Sequence, residues 1–334
     1  MITKVPLNDL KRSSKHYTGD VKKTLRAIIK SGIFLRGEYI QKFEYAWAKY
    51  CGQKYCIAVK NGTDALTLSA MAMGLKKAFV QANTLPLTAQ GLMLGGSQIG
   101  IIDVDENGRT TKKSKNLVPV LLYGRIPSVT ELNSNLFDAA HAHGWKPPKH
   151  ATATWSFYPT KTLGAFGDSG AITTNDSRLY EDLQLLSGAD DKLRHPDQIN
   201  SRMDEIQAAI LLIKLKYLDE NIEERKKNAL IYCENLPPNI VSVNTSENDL
   251  NHLYVIKVKE RRNELKEFLS KQGIETKIHF PTPLNELDAK WKTTKNLWGA
   301  KQWCNHILTL PLFPGIKSQE IIYVTKSIKK FLIS

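Results

Sequence analysis

Trp155-Ser156-Phe157-Tyr158-Pro159-Thr160-Lys161-Thr162-Leu163-Gly164-Ala165-Phe166-Gly167-Asp168-Ser169-Gly170-Ala171-Ile172-Thr173-Thr174-Asn175-Asp176 holds a single lysine among aromatic, small and hydroxyl residues. Upstream, Ala151 to Phe157 alternates small, polar and aromatic residues, as a half-buried strand does. Downstream, the β-branched run Ala171-Ile172-Thr173-Thr174 ends at Asn175-Asp176 and reads as a second strand. Gly164, Gly167 and Gly170 between them permit tight bends and close approach to a ligand. A lysine at a strand end, shielded from water, has a depressed pKa and acts as a nucleophilic amine, able to form a Schiff base with a carbonyl cofactor. The plainer alternative is a solvated lysine in a Gly-rich hairpin, since most lysines are exposed.

Two other segments bear on the choice. Asp138-Ala139-Ala140-His141-Ala142-His143-Gly144 falls at a strand end, where a carboxylate can hold a positive charge on a buried heterocycle. His141 and His143 with Asp138 also have a spacing that permits a metal site, and His143 alone reads as a packed or surface histidine. Tyr55 to Val59 is an apolar strand, followed by Lys60-Asn61-Gly62-Thr63-Asp64-Ala65-Leu66 opening a helix to Met73. A strand, a Gly-Thr turn and a helix N-terminus favour an anion, through unpaired N–H groups and the positive helix end. Thr63 adds a hydroxyl, although Thr and Asp also suit a plain N-cap.

Ser156 to Gly164, followed by Gly167-Asp168-Ser169-Gly170, resembles the cofactor-lysine segment of the nucleotide-sugar aminotransferases of the DegT/DnrJ family. The likeness runs from Val5-Pro6-Leu7 to Leu310-Pro311-Leu312-Phe313-Pro314-Gly315, with the motifs in the family's order. It implies the α/β fold of aspartate aminotransferase, fold type I of the enzymes that use pyridoxal phosphate (PLP). That fold has a large domain with a mostly parallel, seven-stranded-type sheet flanked by helices, and a small C-terminal α+β domain. The break at Asn235-Leu236-Pro237-Pro238 puts the boundary there, giving domains of residues 1–235 and 236–334.

The resemblance also implies roles. Lys161 holds PLP and moves the substrate proton. Asp138 meets the ring nitrogen and His141 the phenolic oxygen side. Gly62 and Thr63 contact the phosphate, and Ser156 belongs to the same cofactor site. Leu85 occupies a position that is usually aromatic and stacks on the ring; leucine can still pack there by dispersion. Asn200, in Asn200-Ser201-Arg202-Met203, crosses a homodimer interface to the neighbour's phosphate, with the plain alternative of a helix N-cap. Arg36 and His279 are substrate candidates, against a surface salt bridge for Arg36 and a structural role for His279.

The implied activity moves an amino group from an amino acid, glutamate by analogy, to a keto group of a nucleotide-diphosphate sugar. Asn61 to Leu66 and Asn200 to Met203 favour C3 of a dTDP-6-deoxy-keto-hexose or a UDP-keto sugar. Alternatives are a C4 aminotransferase and a catalytically inactive, regulatory relative that keeps the fold. Dehydratase relatives carry histidine in place of the lysine, so Lys161 argues against that chemistry.

Composition agrees with this class. The 334 residues are 42% hydrophobic, enough for a large α/β domain and a smaller one. No apolar run approaches the roughly 18 residues of a membrane span, and the N-terminus lacks a signal-peptide pattern. Cys51, Cys56, Cys233 and Cys304 lack metal or CxxC spacing and read as reduced thiols of a cytoplasmic protein. The net charge of +14 comes from dispersed lysines without interleaved aromatics, which argues against nucleic-acid binding and for a field that gathers anionic ligands.

Further helices are expected over Asp9–Ser31, Tyr39–Tyr50, Thr88–Leu94, Ser177–Ser187 with Ser177 as N-cap, Asn200 to about Leu230, Arg262–Gln272 and Ser318–Leu332. Further strands are expected over Ala78–Ala82, Gln98–Val104, Leu117–Tyr123, Leu253–Val258 and Glu275–His279. The connections over Asp105–Asn116 and Gly124–Phe137 are short for parallel crossovers, which usually need about a dozen residues or more, so two helices look trimmed.

Overall fold

The structure is a computed structural model and describes residues 4–189, 195–244, 246–288, 291 and 296–333. It opens with helices α1 (Leu10–Ser13), α2 (Thr18–Ser31) and α3 (Glu38–Cys51). The single helix expected from Asp9 to Ser31 is therefore two. Asp9 is the N-cap of α1, accepting from the Arg12 N–H, and the first helix stops within a turn. Helix α3 buries Phe43 and Trp47, as its spacing indicates.

The central sheet follows: β1 (Tyr55–Val59), α4 (Gly62–Ala72), β2 (Lys77–Gln81), α5 (Pro86–Leu94), β3 (Gln98–Ile102), β4 (Leu136–Asp138), β5 (Thr152–Ser156) and β6 (Gly170–Thr174). Two ladders form, β1-β6-β5-β4 and β2-β3. Bridges Phe79↔Leu117 and Val120↔Asp138 seat residues 117–120 between them. The spatial order is thus β1-β6-β5-β4, residues 117–120, then β2-β3. Strand β6 runs antiparallel to β1 and β5, and every other pairing is parallel.

The strand expected over Leu117–Tyr123 is reduced to those two bridges. Pro119 has no N–H to give a ladder. The Gln81 side chain fills the gap, donating to the Val120 carbonyl at 3.3 Å and accepting from the Val120 N–H at 3.1 Å. The chain then turns through a 3₁₀ segment, Leu122–Gly124, with Tyr123 at φ 65°. The two short connections are trimmed as expected: 105–116 has no helix, and 124–137 has one 3₁₀ turn, Glu131–Asn133.

Strand β5 is buried on both faces, not half-buried. Ala153 and Trp155 pack with Phe43 and Trp47. On the other face, Thr152 and Thr154 remain tolerable because their hydroxyls bond Thr174 and the Phe137 carbonyl. Helix α6 (Ser177–Ser187) is capped by Asp176, one residue before the expected Ser177. Part of the loop expected after it, residues 190–194, lies outside the described residues. The long helix expected from Asn200 is split into α7 (Glu205–Leu215), capped by Asp204, and α8 (Leu218–Asn235).

The C-terminal part has β7 (Val241–Ser242), β8 (Tyr254–Lys257), α9 (Arg262–Lys271), α10 (Leu284–Leu287), α11 (Trp298–His306), β9 (Ile307–Leu310) and α12 (Ser318–Ile333). Its sheet is antiparallel, in the order β7-β8-β9. The strand expected over Glu275–His279 contributes a single bridge, Lys277↔Thr309. The N-terminal segment docks here: Val5 bridges Ile274, and the Arg12 guanidinium meets the Glu320 carboxylate at 2.7 Å.

Candidate active site

The ends of β4 and β5, the start of α4 and the segments around residues 252 and 279 enclose a cavity of about 700 Å³. Gly62, Thr63, Leu85, Asp138, His141, Ser156, Lys161 and His279 all line it. Arg36 and Asn200 do not; the Arg36 guanidinium donates to the Gly188 carbonyl at 3.2 Å, and Asn200 is exposed.

Asp138 ends β4 and is buried. One carboxylate oxygen accepts from the Thr88 hydroxyl at 2.8 Å, the other from the Ala140 N–H at 3.1 Å. Burial pushes its carboxyl pKa up, while the Thr88 and Ala140 hydrogen bonds and the charge of Lys161 oppose that rise. The Lys161 ammonium is pushed down to about 8 by burial, against the attraction of Asp138. Lys161 is half-buried, bordering the cavity on one side and packed protein on the other, and the packed protein weakens its hydration.

The loop carrying Lys161 is tied down along its length. The Lys161 N–H donates to the Tyr158 carbonyl at 2.8 Å, and the Phe166 N–H to Gln207 Oε1 at 2.9 Å. The buried Lys214 ammonium of α7 donates to the Gly164 carbonyl. At Gly164 any side chain would strike the Pro159 carbonyl oxygen, 2.4 Å from an added Cβ.

The start of α4 is built for a close approach. Asn61 caps it, accepting from the Asp64 N–H at 2.8 Å. A Cβ on Gly62 would lie 2.8 Å from Ser156 Cβ, so only glycine lets the helix N-terminus press on the end of β5. Gly62, Thr63 and Ser156 therefore share one corner, where helix N–H groups favour an anion. Asp64 accepts from the Ser201 hydroxyl at 2.7 Å, which pins the segment bearing Asn200 beside the same corner.

Three histidines converge on the cavity. The Tyr123 N–H donates to His141 Nδ1 at 3.2 Å, which leaves the ring proton on Nε2 as a donor. The His252 ring lies 4.6 Å from His141, and its Nδ1 pairs with the Thr162 hydroxyl at 3.0 Å, one residue beyond Lys161. His279 Nδ1 pairs with the Thr309 hydroxyl at 2.9 Å, and the Tyr123 hydroxyl donates to the His279 carbonyl at 2.6 Å. Burial holds His141 and His252 well below the usual imidazole range and His279 down at about 4, so all three are neutral. His143 is off the cavity wall, packed against the rings of Trp47, Trp155 and Phe157.

Thr88, Tyr123, His252 and Lys277 escaped the sequence reading. Thr88 has no local signal, because its partner is fifty residues away. The Gly124 that follows Tyr123 was a usable clue to a backbone turn beside the site: its Cβ would sit 2.6 Å from the His252 nitrogen.

Comparison with known proteins fits this geometry. Residues 16–329 match the sequence profile of the DegT/DnrJ/EryC1/StrS aminotransferase family. The dTDP-3-amino-3,6-dideoxy-α-D-galactopyranose transaminase of Aneurinibacillus thermoaerophilus is 31% identical, over 98% of this chain and 99% of its own. A pleiotropic regulatory protein of Geobacillus stearothermophilus is 30% identical, over 98% of both chains. The crystal structure of DesV from S. venezuelae superposes with a TM-score of 0.89 at 26% identity, covering 99% of each chain.

Proposed function

This chain belongs to the DegT/DnrJ/EryC1/StrS aminotransferase family, and on that footing we propose that it is a PLP-dependent aminotransferase acting on nucleotide-diphosphate keto sugars. The observation that carries the reading is the placement of a half-buried amine of lowered pKa, Lys161, and a buried carboxylate, Asp138, on the wall of one cavity. The residues fit the cofactor: a carboxylate for a ring N–H⁺, an N–H donor at His141 for a phenolate, and a helix N-terminus for a phosphate. Bound PLP supplies an electron sink that eases proton removal from the carbon bearing the amine.

Lys161 would be the amine that anchors the cofactor and the base that moves the substrate proton. Its lowered pKa leaves much of it neutral near pH 8, as a base and nucleophile must be. Asp138 holds positive charge on the ring side, steadied by Thr88 and Ala140. Gly62, Thr63 and Ser156 would hold the phosphate, Leu85 would pack against the ring, and His141 would donate from Nε2. Arg36, anchored on Gly188, stands away from this cavity, whereas His279 lies on the wall where a sugar would rest.

The donor is an amino acid, glutamate by preference, and the acceptor carbon is C3; the name of the Aneurinibacillus relative supports C3. Two chains pair, with Asn200 of each completing the phosphate corner of the other. The exposure of Asn200 and its anchoring through Ser201 and Asp64 support this. Residues 1–235 form the PLP-binding domain and residues 236–334 the small one, with α8 ending at the junction. A cytoplasmic location suits four free cysteines, three of them buried, and among the described residues no helix is long and apolar enough to cross a membrane.

The regulatory reading gains a namesake in the Geobacillus relative but leaves a lysine of lowered pKa and a buried aspartate without work. Incubating the PLP-loaded protein with glutamate and a panel of nucleotide keto sugars, with mass spectrometry of the products, tests the proposal. An amino sugar supports it; no transfer to any acceptor overturns it.

A further inference from the structure

Lys277 is the second lysine on the cavity wall. Among the described residues lining the cavity, Lys161 and Lys277 are the only lysines or arginines, and the three histidines there are neutral. Two of the acids on the same wall are engaged elsewhere, Asp64 by Ser201 and Asp138 by Thr88 and Ala140. No ion pair joins Lys277 to an acid among the described residues.

Its placement is fixed by backbone. The Lys277 N–H donates to the Thr309 carbonyl at 3.3 Å, and the Thr309 N–H to the Lys277 carbonyl at 2.7 Å. In an extended segment, residues two apart face the same way, so Lys277 and His279 look into the cavity together. The charges of Lys277 and Lys161 both act on His279, which lines the same cavity as the two lysines.

We propose that Lys277 is the anion-recognition subsite of this cavity, taking a carboxylate or phosphate oxygen of a substrate whose reacting carbon lies at Lys161. The inference rests on the aminotransferase reading. With Lys161 committed to covalent work and the α4 corner to the cofactor phosphate, Lys277 is the remaining full positive charge that this chain's described residues offer the substrate. The anion has two sources, the carboxylate of the amino donor or an acidic group of the sugar nucleotide.

The test compares wild type, Lys277→Met and Lys277→Arg as PLP-loaded protein. KM and kcat are measured separately for glutamate and for the keto-sugar acceptor, and calorimetry measures binding of 2-oxoglutarate and of dTDP and UDP. Loss of a charge-assisted contact raises KM or Kd by about tenfold to hundredfold for the anion that Lys277 holds, with kcat little changed. A rise confined to glutamate and 2-oxoglutarate assigns the donor carboxylate; one confined to the sugar and the free nucleotides assigns the acceptor. Lys277→Arg restores most of the loss. Unchanged KM and Kd for every ligand in Lys277→Met overturn the proposal. Should wild type transfer no amino group, the aminotransferase reading fails on its own, and the calorimetric comparison still decides the role of Lys277.

Discussion

Replacing Thr88 with valine removes one hydroxyl and little volume. In the folded protein that hydroxyl donates to an Asp138 oxygen at 2.8 Å, between two side chains that are each more than nine-tenths buried. A hydrogen bond to an ionised group contributes about 1.5–3 kcal/mol, and a neutral one about 1. Burial already raises the Asp138 pKa, so the ionised carboxylate opposes folding, increasingly as pH rises through its folded-state value. The Thr88 bond offsets part of that cost only where Asp138 is charged. Thr88→Val should therefore destabilise the cofactor-free protein by about 1.5–3 kcal/mol at pH 8, shrinking toward about 1 kcal/mol once acid protonates Asp138. Urea unfolding across pH measures this, and the same substitution in an Asp138→Asn background separates the charge-assisted part. An equal loss at every pH and in both backgrounds would refute the reasoning, leaving Thr88 as packing and Asp138 as a group that is not ionised in the fold.

Gly62→Ala forces α4 off β5, because its Cβ would lie 2.8 Å from Ser156 Cβ. Overpacking of this kind costs about 1–3 kcal/mol, and here it falls on the phosphate corner, so the PLP dissociation constant should rise about tenfold or more. A fluorescence titration giving an unchanged constant would remove Gly62 from the cofactor site. Histidines held neutral by desolvation predict acid sensitivity. His143 is held down at about 3 and His279 at about 4, both below an unfolded value near 6.5. Between those limits the unfolded chain binds more protons, so stability is full above about pH 6.5 and falls by up to about 1.4 kcal/mol per pH unit for each histidine below it. Urea midpoints measured from pH 7.5 to 5 should drop steeply, and His143→Phe should flatten the slope, provided the larger ring is accommodated; an unaltered slope in a folded His143→Phe protein counts against this account.

Much of the scaffold was legible locally. The strand, glycine and helix sequence over Tyr55–Ala72 reads directly, since the apolar run, the cap and the turn are adjacent in the chain. Asp138 ends β4, as its sequence reads, whereas Lys161, expected at a strand end, lies beyond the end of β5 in the Gly-rich loop that leads to β6. The strand expected over Leu117–Tyr123 is reduced to two bridges, because apolarity alone promises a ladder there that Pro119 denies. The helices expected from Asp9 and from Asn200 ran on past interruptions set by local capping, at Ser14 and at Lys216–Tyr217, that periodicity averages away. Thr88, Tyr123 and His252 stayed hidden for another reason. Their meaning lies in long-range pairs, Thr88 with Asp138, Tyr123 with His141 and His279, and His252 with Thr162.

The protein offers its own control for the central claim. Lys214 is buried and, like Lys161, held at about 8, yet its ammonium rests on the Gly164 carbonyl, and it is absent from the cavity wall. Depressed basicity alone would let PLP react at either amine, whereas the site described here admits it at one. Loading the protein with PLP, reducing with borohydride and mapping the modified peptide by mass spectrometry decides between them. The account predicts a pyridoxyl adduct at Lys161, lost in Lys161→Arg; an adduct at Lys214 or Lys277 instead, or none after saturating PLP, contradicts it.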